Sequence, residues 1–252
     1  MELHGLSYET YQSEFQELTV QRKYKPALAL IDDFIASGLD PQLVMTEIIA
    51  KTLQSLQSFD ESPEASGYSS LTLLAIAKIC DDSIQKLTPY LTSEVVYKGT
   101  VVIATPLNDY HALGKTIVGA ILRSSNWHVI DLGLNVDTQK IIDAAMENNA
   151  DYILISAFLL PSAFRCKEVA DRMKTQKLNN RMKLIVGGPP FKFHLGLAQK
   201  IGADGMGVDA FDAIRVLNQL SGYDNMTVEK REGMSRFRQF ARRVFGLKRR
   251  GK

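Results

Sequence analysis

Cysteine and tryptophan are scarce in this chain: 252 residues contain two cysteines, Cys80 and Cys166, and a single tryptophan. Two thiols so far apart suggest neither a disulfide framework nor a zinc site, and read as ordinary thiols of a reducing compartment. Histidine is also sparse, at four residues, so each can be weighed individually. No apolar run reaches the roughly 18 residues of a membrane-spanning helix. The start, Met1-Glu-Leu-His-Gly-Leu6, has neither the basic residues nor the apolar stretch of a secretion signal. The expected location is therefore cytoplasmic. What is plentiful is ordinary core material: 45% of the residues are hydrophobic, enough for one large or two small domains.

Negative charge is lacking at one end only. Residues 223–252 hold ten Lys/Arg against three Asp/Glu, whereas residues 1–222 hold twenty against twenty-five, so the overall +2 conceals a basic tail behind an acidic body. Within the tail, Phe237, Phe240, Ala241, Val244 and Phe245 recur at helical spacing with arginines around them. Such a segment, residues 234–250, is a candidate for packing on its own domain, for an anionic membrane surface, for an acidic protein partner or for nucleic acid.

Two periodicities divide the rest. From Tyr8 to Leu91 apolar residues repeat at helical intervals: Phe15 through Ile35 in one pattern ended by Gly38, then a second opened by Asp40-Pro41, a loop at Ser58–Ser66, and a long helix from Leu71 to Leu91. From Gly99 onward, short apolar runs at Val101–Ala104, Trp127–Leu132, Tyr152–Ser156 and Lys183–Val186 alternate with helical stretches near Gly114–Arg123, Thr138–Asn148, Ala163–Lys174 and Leu195–Ile201. A weaker fifth strand at Gly205–Val208 precedes a last helix, Ala210–Leu220. This alternation predicts a flavodoxin-like, doubly wound α/β domain with a five-stranded parallel sheet, preceded by a helical-bundle cap domain. The expected boundaries are 1–95 for the helical cap, 96–222 for the α/β domain and 223–252 for the tail.

The chemistry-bearing pattern follows the first strand. Asp109, His111 and Gly114 give D-x-H-x-x-G, which sets a carboxylate two residues before a histidine: one ring nitrogen can be oriented by the carboxylate while the other holds a metal. Ser156-Ala-Phe158 follows after 41 residues, and Gly187-Gly188 after 28 more, each at the end of a predicted strand. In parallel sheets, ligands bind beyond the carboxyl ends of the strands, so His111, Gly133, Ser156 and Gly187-Gly188 should converge there. His4, His128 and His194 lack such company. Gly114-Lys115-Thr116 has the look of a phosphate-binding loop, but Asp109 occupies the position of its first glycine and would repel a triphosphate. A phosphoacceptor reading fails because the third strand ends in Ser156 rather than an aspartate.

Together these motifs resemble the cobalamin-binding module of methionine synthase, corrinoid methyl carriers and cobalamin-dependent sensors, whose signature is D-x-H-x-x-G, S-x-L and G-G at similar spacings. Ile117-Val118-Gly119-Ala120, Val129-Ile130-Asp131-Leu132-Gly133, Ala150-Asp151, Ile185-Val186-Gly187-Gly188 and Ile201-Gly202-Ala203-Asp204-Gly205 extend the resemblance. Ala112 stands where methyl-transfer members usually have a second aspartate, Phe158 where leucine is usual, and Leu53–Pro63 departs from the usual cap centre.

The resemblance implies that cobalamin, as methyl-, adenosyl- or hydroxocobalamin, binds base-off with His111 on cobalt. It also implies that Asp109 and Ser156 form a relay behind that ring, and that Gly187-Gly188 lets the backbone approach the nucleotide tail. Tyr110, Gly114, Gly133 and Phe158 complete the implied cofactor-binding set. Two functions stay open: a methyl carrier serving a methyltransferase partner, and a sensor that reports redox state, light or cofactor level to a regulatory protein or nucleic acid.

Overall fold

The computed structural model describes residues 8–54, 69–91 and 97–222. The expected loop at Ser58–Ser66, most of the divergent cap centre and the whole basic tail lie outside these residues. The chain folds into two compact units, Met1–Val95 with Gly119–Ser125, and Val96–Val118 with Asn126–Lys252. Among the described residues no helix is long and apolar enough to cross a membrane.

The first unit is helical. What reads as one periodic pattern from Phe15 to Ile35 is two helices, Tyr8–Val20 and Tyr24–Ala36. Arg22 adopts a left-handed φ of 56° between them, and a cationic residue at a position where asparagine or glycine is usual gives no warning of the break. Asp40 then caps the next stretch by accepting from the Gln42 N–H at 2.8 Å, with Pro41 at a first-turn position that needs no amide hydrogen. That stretch passes from an α turn, Pro41–Leu43, through a seven-residue π segment, Val44–Ala50, to a second α turn, Lys51–Gln54. The long helix is Ser70–Leu87, capped by Ser69, and its expected continuation to Leu91 is replaced by the 3-10 turn Thr88–Tyr90 around Pro89. Phe15, Ile31, Phe34, Ile48, Ile49, Leu53 and Ile76 are buried in this unit, with Tyr11 edge-on to Phe34 at 5.0 Å.

The second unit is the doubly wound sheet. Its strands are β1 (Thr100–Ala104), β2 (His128–Asp131), β3 (Tyr152–Ser156), β4 (Lys183–Gly187) and β5 (Gly205–Gly207), all parallel in the order β2-β1-β3-β4-β5. β1 is buried at every position, as a central parallel strand covered on both faces must be. Val102, Ile153, Ile155, Leu184 and Val186 meet Ile141, Ile142, Cys166, Val169 and Met173 of the covering helices in one core. The chain leaves β1 toward β2 and returns to β3 on the other side. Loops after β1 and β3 therefore diverge, and the carboxyl edge between them is the crevice where such sheets bind ligands.

The helix after β3 begins at Leu160 rather than Ala163, since Pro161 fits a first turn, and this brings Ser162 into that turn. Pro189-Pro190 starts a short helix, Pro189–Phe193, for the same reason.

The fifth strand reads weakly because two of its three residues are glycines, and packing demands them. A Cβ at Gly205 would lie 2.6 Å from Val216 Cγ1, and one at Gly207 would lie 2.9 Å from the Ala213 Cα, so the helix Ala210–Ser221 rests on bare backbone. Gly207→Val is expected to destabilise the protein by about 1–3 kcal/mol through overpacking, read as a lowered urea midpoint by far-ultraviolet circular dichroism. An unchanged midpoint would mean that the helix can lift off the strand without loss.

Candidate functional site

The loop leaving β1 is built before any ligand is considered. Thr105, fully buried, donates its hydroxyl to the Asp109 carbonyl at 2.6 Å and its N–H to the Gly133 carbonyl at 3.2 Å. Asn135, from the loop after β2, accepts from the Asn108 N–H at 2.7 Å and donates its own N–H to the Asp109 carbonyl at 3.0 Å. Asn108 and Asn135 both take left-handed φ values, 66° and 55°, which asparagine tolerates better than other side chains. A parallel bridge between Pro106 and Val136 closes the lacing. The two loops form a stiff platform, and Asp109 stands on it.

Asp109 has no exposed surface, yet its carboxylate is fully engaged. Oδ1 accepts from the His111 N–H at 3.0 Å and lies 2.9 Å from His111 Nδ1; Oδ2 accepts from the Phe158 N–H at 2.7 Å. The Ser162 hydroxyl, in the first turn of the following helix, also favours the charged form of this group. Burial pushes the carboxyl's pKa up, but these hydrogen bonds outweigh it and hold the group below the usual carboxylate range. Asp109 is thus an anion that joins the β1 loop to the β3 loop.

The imidazole of His111 has one nitrogen committed and the other free of that bond. With Nδ1 on the carboxylate, Nε2 is the nitrogen left for a ligand, and 45% of the side chain is exposed. The Phe158 ring stacks on it, with centroids 4.0 Å apart and planes within 17°. Tyr110 and Leu159, their chain neighbours, are also exposed, as are Leu160 and Phe164 of the following helix, so apolar side chains flank a charged centre.

The remaining sequence candidates lie along the same edge. Ser156 and Gly187 are register partners on β3 and β4, and a Cβ added at Gly114 would come within 3.3 Å of the Ser156 hydroxyl. Gly133, at φ 87°, donates its N–H to Asp131 at 2.8 Å. Asp131 in turn accepts from Lys115 Nζ at 2.6 Å, which ties this nearly buried lysine to the β2 loop and away from any phosphate.

Two expectations gain a structural context. No hydrogen bond joins Ser156 to the Asp109 carboxylate among the described residues, and a hydroxyl that favours its charged form is that of Ser162, in the first turn of the following helix. Gly188, expected to leave room for a nucleotide tail, lacks a side chain for a prior reason, since a Cβ there would sit 2.0 Å from the Ala157 carbonyl oxygen at a φ of 110°. Thr105, Asn135 and Ser162 do not stand out in the sequence. For Ser162 the available signal is a small hydroxyl directly after a proline that can open a helix.

Residues 99–215 match the family model described as the B12 binding domain. The chain is 35% identical over 130 residues to a corrinoid protein of Desulfitobacterium hafniense, covering 52% of this chain and 59% of that one. It is 29% identical over 192 residues to trimethylamine corrinoid protein 1 of Methanosarcina acetivorans, covering 75% and 86%. Among solved structures, the methanol:cobalamin methyltransferase complex of Methanosarcina barkeri contains a similar chain, with TM-score 0.62, 18% identity and coverage of 84% and 80%, a likeness of fold.

Asp109→Asn should cost about 2–3 kcal/mol, since an amide leaves buried donors facing its own NH₂. A carboxyl with a depressed folded pKa stabilises the protein above its unfolded value, about 3.9, and loses that contribution as pH falls through the lower folded value. Urea midpoints measured from neutral to acid pH should therefore converge for wild type and variant at low pH. A constant gap would show that the charge contributes nothing. Gly188→Ala should cost about 1–3 kcal/mol from backbone strain alone, and a neutral outcome in the same assay would contradict the close approach to Ala157.

Proposed function

We propose, since the chain belongs to the cobalamin-binding protein family, that it is a methyl carrier which holds a corrinoid base-off through His111 and presents it to a methyltransferase. The observation that carries this reading is the committed imidazole, with Nδ1 at 2.9 Å from a buried carboxylate and Nε2 at an exposed edge rimmed by apolar side chains. These residues fit a corrinoid: an imidazole nitrogen would be a suitable donor to cobalt, and an apolar rim would suit the ring's hydrophobic periphery.

Bound there, the cofactor would supply a cobalt centre able to accept and release a methyl group. The protein's own residues do the rest. Asp109 keeps the proton on Nδ1, and so keeps Nε2 available as a donor. Ser162 and the Phe158 N–H share the carboxylate's charge, which sets how strongly Asp109 draws on that proton and hence how basic the imidazole is. The edge formed by Gly114, Ser156, Gly187 and Gly188 would take the nucleotide tail, beside the Ser156 hydroxyl.

Similarity to trimethylamine corrinoid protein 1 and to a chain of the methanol:cobalamin methyltransferase complex favours methylcobalamin as the loaded form and a methyltransferase as the partner. The donor class suggested by those names is a small methylated amine or alcohol. The sensor reading draws on the basic tail and the divergent cap centre, and the described residues add no observation in its favour.

The test is paramagnetic resonance of the cob(II)alamin-loaded protein grown with nitrogen-15 histidine. A two-line axial nitrogen splitting, lost in His111→Ala, is expected. A three-line pattern from the cofactor's own base, or one that persists in the variant, would overturn the proposed binding mode. Loading with methylcobalamin and following methyl transfer to a thiol or amine acceptor with candidate methyltransferases tests the carrier role.

A further inference from the structure

One hydrogen bond does not orient a ring. With Cβ held by the backbone and Nδ1 held by Asp109, the His111 imidazole can still hinge about the line joining those two atoms, and that motion carries Nε2 through an arc. A face-on contact is what removes this freedom. The Phe158 ring supplies one, 4.0 Å away and within 17° of parallel, and Phe158 is itself located by the same carboxylate, through its N–H on Asp109 Oδ2 at 2.7 Å. Asp109 therefore places both the ring and its backing plate, one from the β1 loop and one from the β3 loop.

We propose that Phe158 is a positioning residue that sets the direction of His111 Nε2, so that this chain enters its His-on state with the ligand ring already aimed. The proposal rests on the reading of His111 as the cobalt ligand and deepens it. Packing in the protein core does not explain the aromatic side chain, since Phe158 is 49% exposed. The S-x-L resemblance leads to leucine at this position; leucine would keep the N–H bond to Asp109 but offers no flat face. The stack thus adds to the shared hydrogen bond a constraint of its own, belonging to the side chain alone. Ring order won before the cofactor arrives lowers the entropy lost on ligation.

The experiment has an arm without cofactor and an arm with it, on wild type, Phe158→Leu, Phe158→Ala and Phe158→Tyr, with His111→Ala as control. In the cofactor-free protein, selectively labelled histidine and phenylalanine should show ring-to-ring nuclear Overhauser contacts and a well-ordered His111 ring. Leu and Ala at 158 should loosen that ring, and Tyr should restore it. In the cob(II)alamin-loaded protein, the ratio of His-off to His-on species should rise about two- to tenfold in the Leu and Ala variants, the range set by an aromatic pair's coupling, and return to wild type with Tyr. Thermal midpoints within a few degrees of wild type would confirm that substitution at a half-exposed position has not disturbed the fold.

Absence of the ring-to-ring contact in the cofactor-free wild type would overturn the proposal. Equal ring order and equal His-on ratios across Leu, Ala and Tyr would do the same, even with nitrogen splitting intact and lost in His111→Ala. If His111→Ala leaves the splitting unchanged, the ligand reading itself fails, and the cofactor-free arm alone decides whether Phe158 orders the ring.

Discussion

The rest of the site depends on one buried negative charge. Asp109 is fully enclosed between the β1 and β3 loops, where an unpaired carboxylate would be very costly, and its hydrogen-bond donors come from both loops. Because the charge must be satisfied, the loops must stay where they are. The imidazole above it inherits that rigidity: the same oxygen lies 2.9 Å from Nδ1 and accepts the His111 backbone N–H. Thr105 and Asn135 extend the lacing to the β2 loop, so the histidine stands on a platform joined to three strands.

Topology explains why this platform lies where it does. In the order β2-β1-β3-β4-β5 the connections leave β1 and β3 in opposite directions, and backbone groups beyond their carboxyl ends have no following strand to cover them. Loops placed there can project side chains into a crevice while the sheet beneath stays packed. Phe158, Tyr110 and Leu159 are left exposed at that crevice although each would be favoured inside. Exposed apolar side chains around a committed imidazole mark a surface shaped for another molecule.

Much of this is legible in residue order. Buried parallel strands read as short apolar runs, and all five appear within a residue or two of their expected places. The D-x-H spacing also foretells the contact between Asp109 and His111, because residues two apart at a turn meet through local geometry. What escapes depends on contacts between distant segments. Ser162 lies in the first helical turn, where it favours the charged Asp109, because Pro161 starts a helix early, and the need for glycine at 188 comes from the Ala157 carbonyl just beyond the neighbouring strand. The break at Arg22 and the π segment Val44–Ala50 also lack a local signature, for their apolar periodicity is that of an ordinary helix. The stack of Phe158 on His111 belongs to the same class, joining residues 47 positions apart in sequence.

The central claim is that the buried Asp109 carboxylate holds the proton on Nδ1 and thereby frees Nε2 as the ligand. The nitrogen-15 shifts of the His111 ring in the cofactor-free protein, recorded well above the ordinary imidazole pKa, measure this directly. The account predicts a protonated, pyrrole-type Nδ1 and a bare, pyridine-type Nε2, with the pattern collapsing toward the mixture of free histidine in Asp109→Asn. A protonated Nε2, or averaged shifts in the wild type, would contradict it.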